Sequence, residues 1–290
     1  MINLMKGILI KSIGGFFFVA VENKGIYQCR IRGKIREKIY PGDYVEIDRE
    51  NKILEDYYPR SNLLKRPKVA NVDQVVIMHS VKDPEFTPSL LDRFLLLVES
   101  SGFDPLVVIN KIDQAEEGYQ ENFVEYQKAG YDLTFISVKE NINLQKLFDK
   151  LNNKINVLTG PSGAGKSSFL NKVIEDADLR TAAVSKKLKK GVHTTRMVEL
   201  LSLPNEGWVA DTPGFSSMAK LDLEIEADDL SWYFPEIAEY NNDCKFNRCS
   251  HLHEPGCIVQ QKVEEGEISQ RRYQSYQQLY NELNEKERRY

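Results

Sequence analysis

The sequence predicts an α/β protein, with a doubly wound parallel sheet at its centre, a small barrel before it and a largely helical segment after it. Three observations carry that prediction. Short strands separated by turn residues fill the first sixty positions. Apolar strands alternate with amphipathic helices from residue 71 to about 220. Three of the chain's four cysteines then fall within fourteen residues, ahead of a long polar helix. Alternating strands and helices call for parallel strands with helices on the sheet faces.

The N-terminal strands read KGILIKSIGG, FFFVAVENKG, IYQCRIRG and PGDYVEI, and glycine-bearing turns separate them. Several short strands in so few residues fit a five-stranded OB-fold barrel over residues 1–66. Net charge is −4, yet residues 1–70 hold fourteen Lys/Arg against eight Asp/Glu. Arg30, Arg32, Lys34, Arg36 and Lys38 recur at every second position, which on a strand puts them on one face. Such a stripe suits an RNA backbone, and a solvated strand face is the plainer reading. A second basic cluster, KKLKK, occupies 186–190. RSNLLKRPKVAN reads as the linker out of the barrel.

The central unit is expected over 67–220. Its strands are VDQVVIMHSV, DPLVVIN, DLTFISV, INVLTG and EGWVA. Its helices are SLLDRFLLLVESSG, YQENFVEYQKAG and NLQKLFDKLN. After INVLTG, the run Gly160, Pro161, Ser162, Gly163, Ala164, Gly165, Lys166, Ser167 fits the phosphate-loop pattern G-x-x-x-x-G-K-[ST], with Ser168 opening the helix. The glycines let backbone N–H groups turn inward around phosphates. Lys166 is suited to the β- and γ-phosphates of a nucleotide, and the Ser167 hydroxyl to Mg²⁺. Asp211-Thr212-Pro213-Gly214 follows a strand. There Asp211 can hold Mg²⁺ through water, and the Gly214 N–H can sense a γ-phosphate.

Asn110, Lys111 and Asp113 end the strand DPLVVIN. A carboxylate at 113 can accept from the N1–H and amine of guanine, a pair that adenine lacks. The Lys111 stem can cover the base. Ser137, Val138 and Lys139 end the next strand and suit a loop whose N–H groups back the guanine carbonyl. All these groups lie at strand C-termini, where doubly wound sheets bind ligands. The substrate is therefore GTP, with Mg²⁺. The base reader precedes the phosphate loop, so the motif order is a rotation of the usual GTPase order. The fold class is thus a circularly permuted P-loop GTPase domain between an OB-fold barrel and a C-terminal, zinc-binding, largely helical domain.

Between the phosphate loop and Asp211 lies GVHTTR, where the first switch belongs. Thr194 and Thr195 can both ligate Mg²⁺. Thr195 is preferred, because it precedes Arg196 as the switch threonine does in related GTPases. Phe215 follows Gly214 where many signalling GTPases carry a water-orienting Gln, and an apolar side chain cannot hold water. His193 is the nearest candidate in sequence for that task, and a loop histidine without one is the plainer reading. Cys244, Cys249, His251 and Cys257 form a Cys3His set suited to one closed, structural Zn²⁺ site. His253 is expected at the surface. Residues 221–290 form the third domain.

The permuted order, the barrel before it and the Cys/His segment after it together resemble the RsgA (YjeQ/YloQ) family of circularly permuted GTPases. The resemblance covers nearly the whole chain. It implies a GTPase that binds the small ribosomal subunit and its rRNA during late maturation. It also implies the four zinc ligands named above and water placement by His193. Hydrolysis by the protein alone is expected to be slow, with the subunit ordering the His193 loop. The zinc domain is expected to couple to the second switch, so that nucleotide state repositions residues 221–290 relative to the barrel. The rival readings are a GTPase acting on another RNA such as tRNA, and an RNA-binding placeholder whose hydrolysis only times release. The longest apolar stretch near the N-terminus, Phe16 to Val21, is too short to span a membrane. A cytoplasmic monomer that does not enter membranes is the expectation.

Overall fold

The computed structural model describes residues 4–33, 35–181, 198–204, 206–211 and 225–288, apart from the side chains of 175–181 and 211. Lys34, the 186–190 cluster, His193, Thr194, Thr195, Gly214 and Phe215 lie outside the described residues.

Five strands close the barrel: β1 (Leu4–Ile13), β2 (Phe16–Val21), β3 (Gly25–Ile31), β4 (Tyr44–Asp48) and β5 (Ile53–Tyr57), in the order β1-β2-β3-β5-β4. The sequence reading lacks β5, because ILEDY alternates poorly and carries two acids. Met5, Leu9, Val19, Val45, Ile47 and Leu54 fill the interior. Ile8 and Ile10, from the opposite face of β1, join the core of the central sheet instead. The predicted basic stripe does not form. Strand β3 ends at Ile31, so only Arg30 lies on it, and Arg32, Arg36 and Lys38 belong to the loop before β4. Arg32 is paired with Glu55. The positive charge is therefore carried by a loop.

The segment read as a linker is a hairpin, β6 (Leu63–Lys65) and β7 (Lys68–Ala70), with Leu64, Val69 and Ala70 buried. It presses on the barrel at Gly42, where φ is +96° and an added Cβ would lie 2.0 Å from the Ala70 carbonyl oxygen. Only glycine fits that approach.

The central sheet contains β8 (Gln74–Ser80), β9 (Pro105–Asn110), β10 (Asp132–Phe135), β11 (Ile155–Thr159), β12 (Glu199–Ser202) and β13 (Trp208–Asp211). Its order is β10-β9-β8-β11-β13-β12. All neighbours are parallel except the edge pair β12 and β13. Helix α1 (Pro88–Ser100) follows β8, and a 3-10 turn (Tyr119–Phe123) with α2 (Val124–Lys128) follows β9. Helix α3 (Leu144–Leu151) follows β10, and α4 (Lys166–Thr181) follows β11. Helices cover both sheet faces, as nearly continuous apolar strands require. Strands β13 and β8 are separated by β11, and no connection joins them. The chain leaves β13 for the C-terminal module and enters β8 from the barrel. Both added modules therefore attach where the permutation opens the chain.

The C-terminal module contains a 3-10 helix (Ala227–Tyr233), α5 (Pro235–Ala238), the Cys/His loop, α6 (Ile258–Glu264) and α7 (Gln270–Glu287). Ser269 caps α7 by accepting from the Arg272 N–H. Tyr273, Tyr276, Leu279 and Leu283 bury one face of α7 in the core that also holds Leu91 and Phe94 of α1.

Candidate functional site: a guanine-nucleotide crevice and a metal loop

The crevice is built at the C-terminal ends of β9, β10 and β11. Asn110 ends β9 and is 2% exposed. Its Nδ2 donates to the Ala164 carbonyl at 2.9 Å, and its Oδ1 accepts from the Val138 N–H at 3.1 Å. One amide thus ties the base reader to the phosphate loop and to the backing loop. Gly165 has φ +99°, and a Cβ there would lie 2.1 Å from Asn110 Nδ2, so the close approach needs glycine. Gly160 meets the same limit against the Met78 carbonyl oxygen, at 2.0 Å.

Asp113 accepts from Ser137 Oγ at 2.5 Å, and Ser137 Oγ in turn accepts from the Glu140 N–H at 3.1 Å. The Asp113 carboxylate is therefore aimed by the 137–140 loop. Lys111 has a left-handed backbone, φ 65°, and its Nζ donates to the Asp83 carbonyl. Lys139 is exposed and paired with Glu140 at 3.3 Å. In the phosphate loop, Lys166 Nζ donates to the Gly160 and Pro161 carbonyls at 2.7 and 2.6 Å. Burial draws its ammonium down to about 8. Ser162, Gly163, Ser167 and Ser168 are exposed around it, and Ala164 is buried. Asp211 ends β13, but its side chain lies outside the described residues.

Two elements of this crevice carried no signal in the sequence reading. Residues 81–87 form a wall: Ser80 Oγ donates to the Pro84 carbonyl at 2.7 Å, and a Cβ on Gly163 would lie 2.9 Å from Pro84 Cδ. His79 lies beneath, between Phe86 and Phe94, with ring centroids 5.6 and 6.2 Å away. Burial, with a smaller push from Lys166, holds its imidazole down to about 3. It is a neutral wall of the site.

In the Cys/His loop, the ligand atoms of Cys244, Cys249, His251 and Cys257 all lie within 4.8 Å of one another. Cys244 Sγ is 3.9 Å from Cys257 Sγ, and His251 Nδ1 is 3.6 and 3.4 Å from those two sulfurs. A tetrahedron with metal–sulfur bonds of about 2.3 Å has edges of about 3.8 Å, so the donors fit Zn²⁺. Burial raises the Cys249 and Cys257 thiols, so their thiolates need a cation. His251 Nε2 faces Asn241 Oδ1 at 2.9 Å, which leaves Nδ1 as the ligand atom. Asn241 had no recognisable motif. His253 is exposed, as expected, and lies outside the ligand set.

Comparison with known proteins fits this geometry. The RsgA GTPase family model matches residues 57–221, and the RsgA N-terminal domain model matches residues 6–53. The chain belongs to the RsgA family. It is accordingly a GTP hydrolase with a circularly permuted GTPase domain. The small ribosomal subunit biogenesis GTPase RsgA of Alkaliphilus metalliredigens (strain QYMF) is 44% identical over 296 residues, covering 99% of this chain and 100% of that one. Its counterpart in Bacillus cereus (strain ATCC 14579) is 42% identical, covering 98% and 99%. The crystal structure of YloQ, a circularly permuted GTPase, superposes with a TM-score of 0.80 at 36% identity, covering 98% of this chain and 96% of that one. That of YjeQ from Thermotoga maritima gives 0.79 at 35%, covering 97% and 98%. No helix among the described residues of this RsgA-family protein is long and apolar enough to cross a membrane.

Proposed function

We propose that this GTPase binds the small ribosomal subunit during its late maturation and hydrolyses GTP there. The observation that carries this reading is the hold of Asn110 on the phosphate loop and the 137–139 loop at once, in a chain whose full-length relatives are named for small-subunit biogenesis. The working units are residues 1–66, 67–220 and 221–290. Asp113 accepts from the guanine edge, Lys111 covers the base, and the Lys139 N–H backs its carbonyl, while Asn110 holds the Val138 N–H and so fixes that loop. The N–H groups within 160–168, Pro161 apart, cradle the phosphates, and Lys166 reaches the β- and γ-phosphates. Ser167 and Thr195 would hold Mg²⁺, with Asp211 as a candidate ligand through water, and the ion would supply charge neutralisation on the phosphates. The Gly214 N–H reads the γ-phosphate. His193 orients the attacking water, a task Phe215 cannot perform. The basic loop before β4 contacts rRNA, and one Zn²⁺ on Cys244, Cys249, His251 and Cys257 holds the third unit together.

The test is GTP turnover with and without purified small subunits. Strong stimulation is expected. His193→Ala should reduce the stimulated rate at least about tenfold while leaving nucleotide affinity near normal. Asp113→Asn should weaken GTP binding by more than about tenfold, because one of the two guanine donors loses its acceptor and meets an amide donor instead. Turnover indifferent to the subunit would favour the placeholder, and normal GTP affinity in Asp113→Asn would remove the base-reader assignment.

A further inference from the structure

Ser80 ends β8 beside Asn110, its register partner on β9, and it is fully buried. Its hydroxyl is committed to the loop that follows, donating to the Pro84 carbonyl at 2.7 Å. Two backbone bonds close the same loop. The Val81 N–H donates to the Asn110 carbonyl at 3.0 Å, and the Phe86 N–H to the Val81 carbonyl at 3.4 Å. The Phe86 ring seats the far end on Phe123, with centroids 4.4 Å apart. Residues 81–87 are therefore held along one path over the crevice, although Lys82, Asp83, Pro84 and Glu85 are exposed.

That path brings three parts of the site to one point. The Asp83 carbonyl accepts from Lys111 Nζ. A Cβ built on Gly163 would lie 2.9 Å from Pro84 Cδ and 3.8 Å from the same Asp83 oxygen. Lys111, the phosphate loop and the 83–84 turn thus meet, and the turn sets the spacing of the other two. Any buried serine needs an acceptor. This acceptor lies one residue from the carbonyl that anchors Lys111, so the bond reaches the site as well as the strand end.

A lysine stem is long, and fixing it over a base costs rotamer entropy. An ammonium already held at its tip leaves less of that cost to be met when a nucleotide binds.

We propose that Ser80 is a positioning residue for nucleotide binding: through the 83–84 turn it holds Lys111 in place to cover the base. This rests on the reading of Lys111 as the base cover. Guanine is common to GTP and GDP, so both gain equally from a held Lys111. A contact made equally before and during hydrolysis lowers KM and leaves kcat as it is.

The test is a double-mutant cycle of Ser80→Ala and Lys111→Ala in the full-length protein, read by GDP affinity, with GTP turnover measured beside it. Ser80→Ala removes one oxygen, and denaturant unfolding checks that the sheet is retained. It should weaken GDP about five- to tenfold. It should raise KM for GTP by the same factor, with kcat within about twofold of the parent protein. Lys111→Ala alone should weaken GDP about tenfold or more. In the Lys111→Ala background, adding Ser80→Ala should change the affinity less than about twofold, because the group it positions is gone. Equal losses in both backgrounds would overturn the proposal and leave Ser80 a structural residue. So would undiminished GDP affinity in Ser80→Ala, or a fall in kcat at unchanged KM. Undiminished GDP affinity in Lys111→Ala would remove the base cover itself, and the positioning role with it.

Discussion

The barrel and the Cys/His module flank the same sheet through different attachments. Lys11 of β1 reaches Glu199 of β12 at 2.6 Å, with the two side chains 18% and 41% exposed, beside the apolar contact of Ile8 and Ile10. Arg272 of α7 reaches Asp92 of α1 at 2.6 Å and Glu236 of α5 at 2.7 Å, and it and Asp92 are almost fully buried. The Phe234 ring lies 4.6 Å from that guanidinium, and Tyr126 and Tyr131 lie 5.3 and 5.6 Å away. Arg93 adds a pair with Glu282 at 2.6 Å on the same helix contact. An exposed ion pair contributes little and breaks cheaply. A buried guanidinium tolerates one arrangement of its carboxylates and penalises every other. The C-terminal module is thus fixed to the half of the GTPase domain that carries α1. Any nucleotide-driven repositioning of residues 221–290 relative to the barrel would therefore carry α1 along and take place at the barrel's lighter junction.

The largest test of this contrast is Arg272→Ala. It leaves the Asp92 and Glu236 carboxylates buried without their cation and should cost about 3–5 kcal/mol. Denaturant unfolding measures it, and a loss under about 1 kcal/mol would make the two junctions equivalent. Replacing Arg272, Asp92 and Glu236 together by Met, Leu and Gln should recover much of that loss, since it removes both unpaired charges.

Within the module, Asn241→Ala removes the group that orients His251. Zinc affinity should fall about 10–100-fold, read by competition with a chromophoric chelator, while the barrel's stability stays unchanged. If zinc removal also destabilised the barrel, the two flanks would be one cooperative unit.

The smallest effect is expected at Lys11→Ala, under about 1 kcal/mol and fading with added salt. A loss of several kcal/mol there would show a junction as rigid as that at Arg272.

Much of the site was legible in the chain itself. Gly160–Ser167 can be read because a tight phosphate-binding turn admits few residue types. Asn110, Lys111 and Asp113 can be read because they end an apolar strand abruptly. Cys244, Cys249, His251 and Cys257 can be read because ligand chemistry belongs to each side chain alone. The parallel sheet followed from the alternation of strand and helix. What the tertiary structure decided was partnership across distance. Asn110 meets Ala164 across 54 positions, Lys111 meets Asp83 across 28, and Arg272 meets Asp92 across 180. The hairpin at 63–70 hid as a linker because each three-residue strand has too few positions to show a period. The basic stripe failed because strand β3 ends at Ile31, and alternation in sequence puts residues on one face only while the backbone stays extended. Local pattern sets what a residue can do, and only packing sets which residue it does it with.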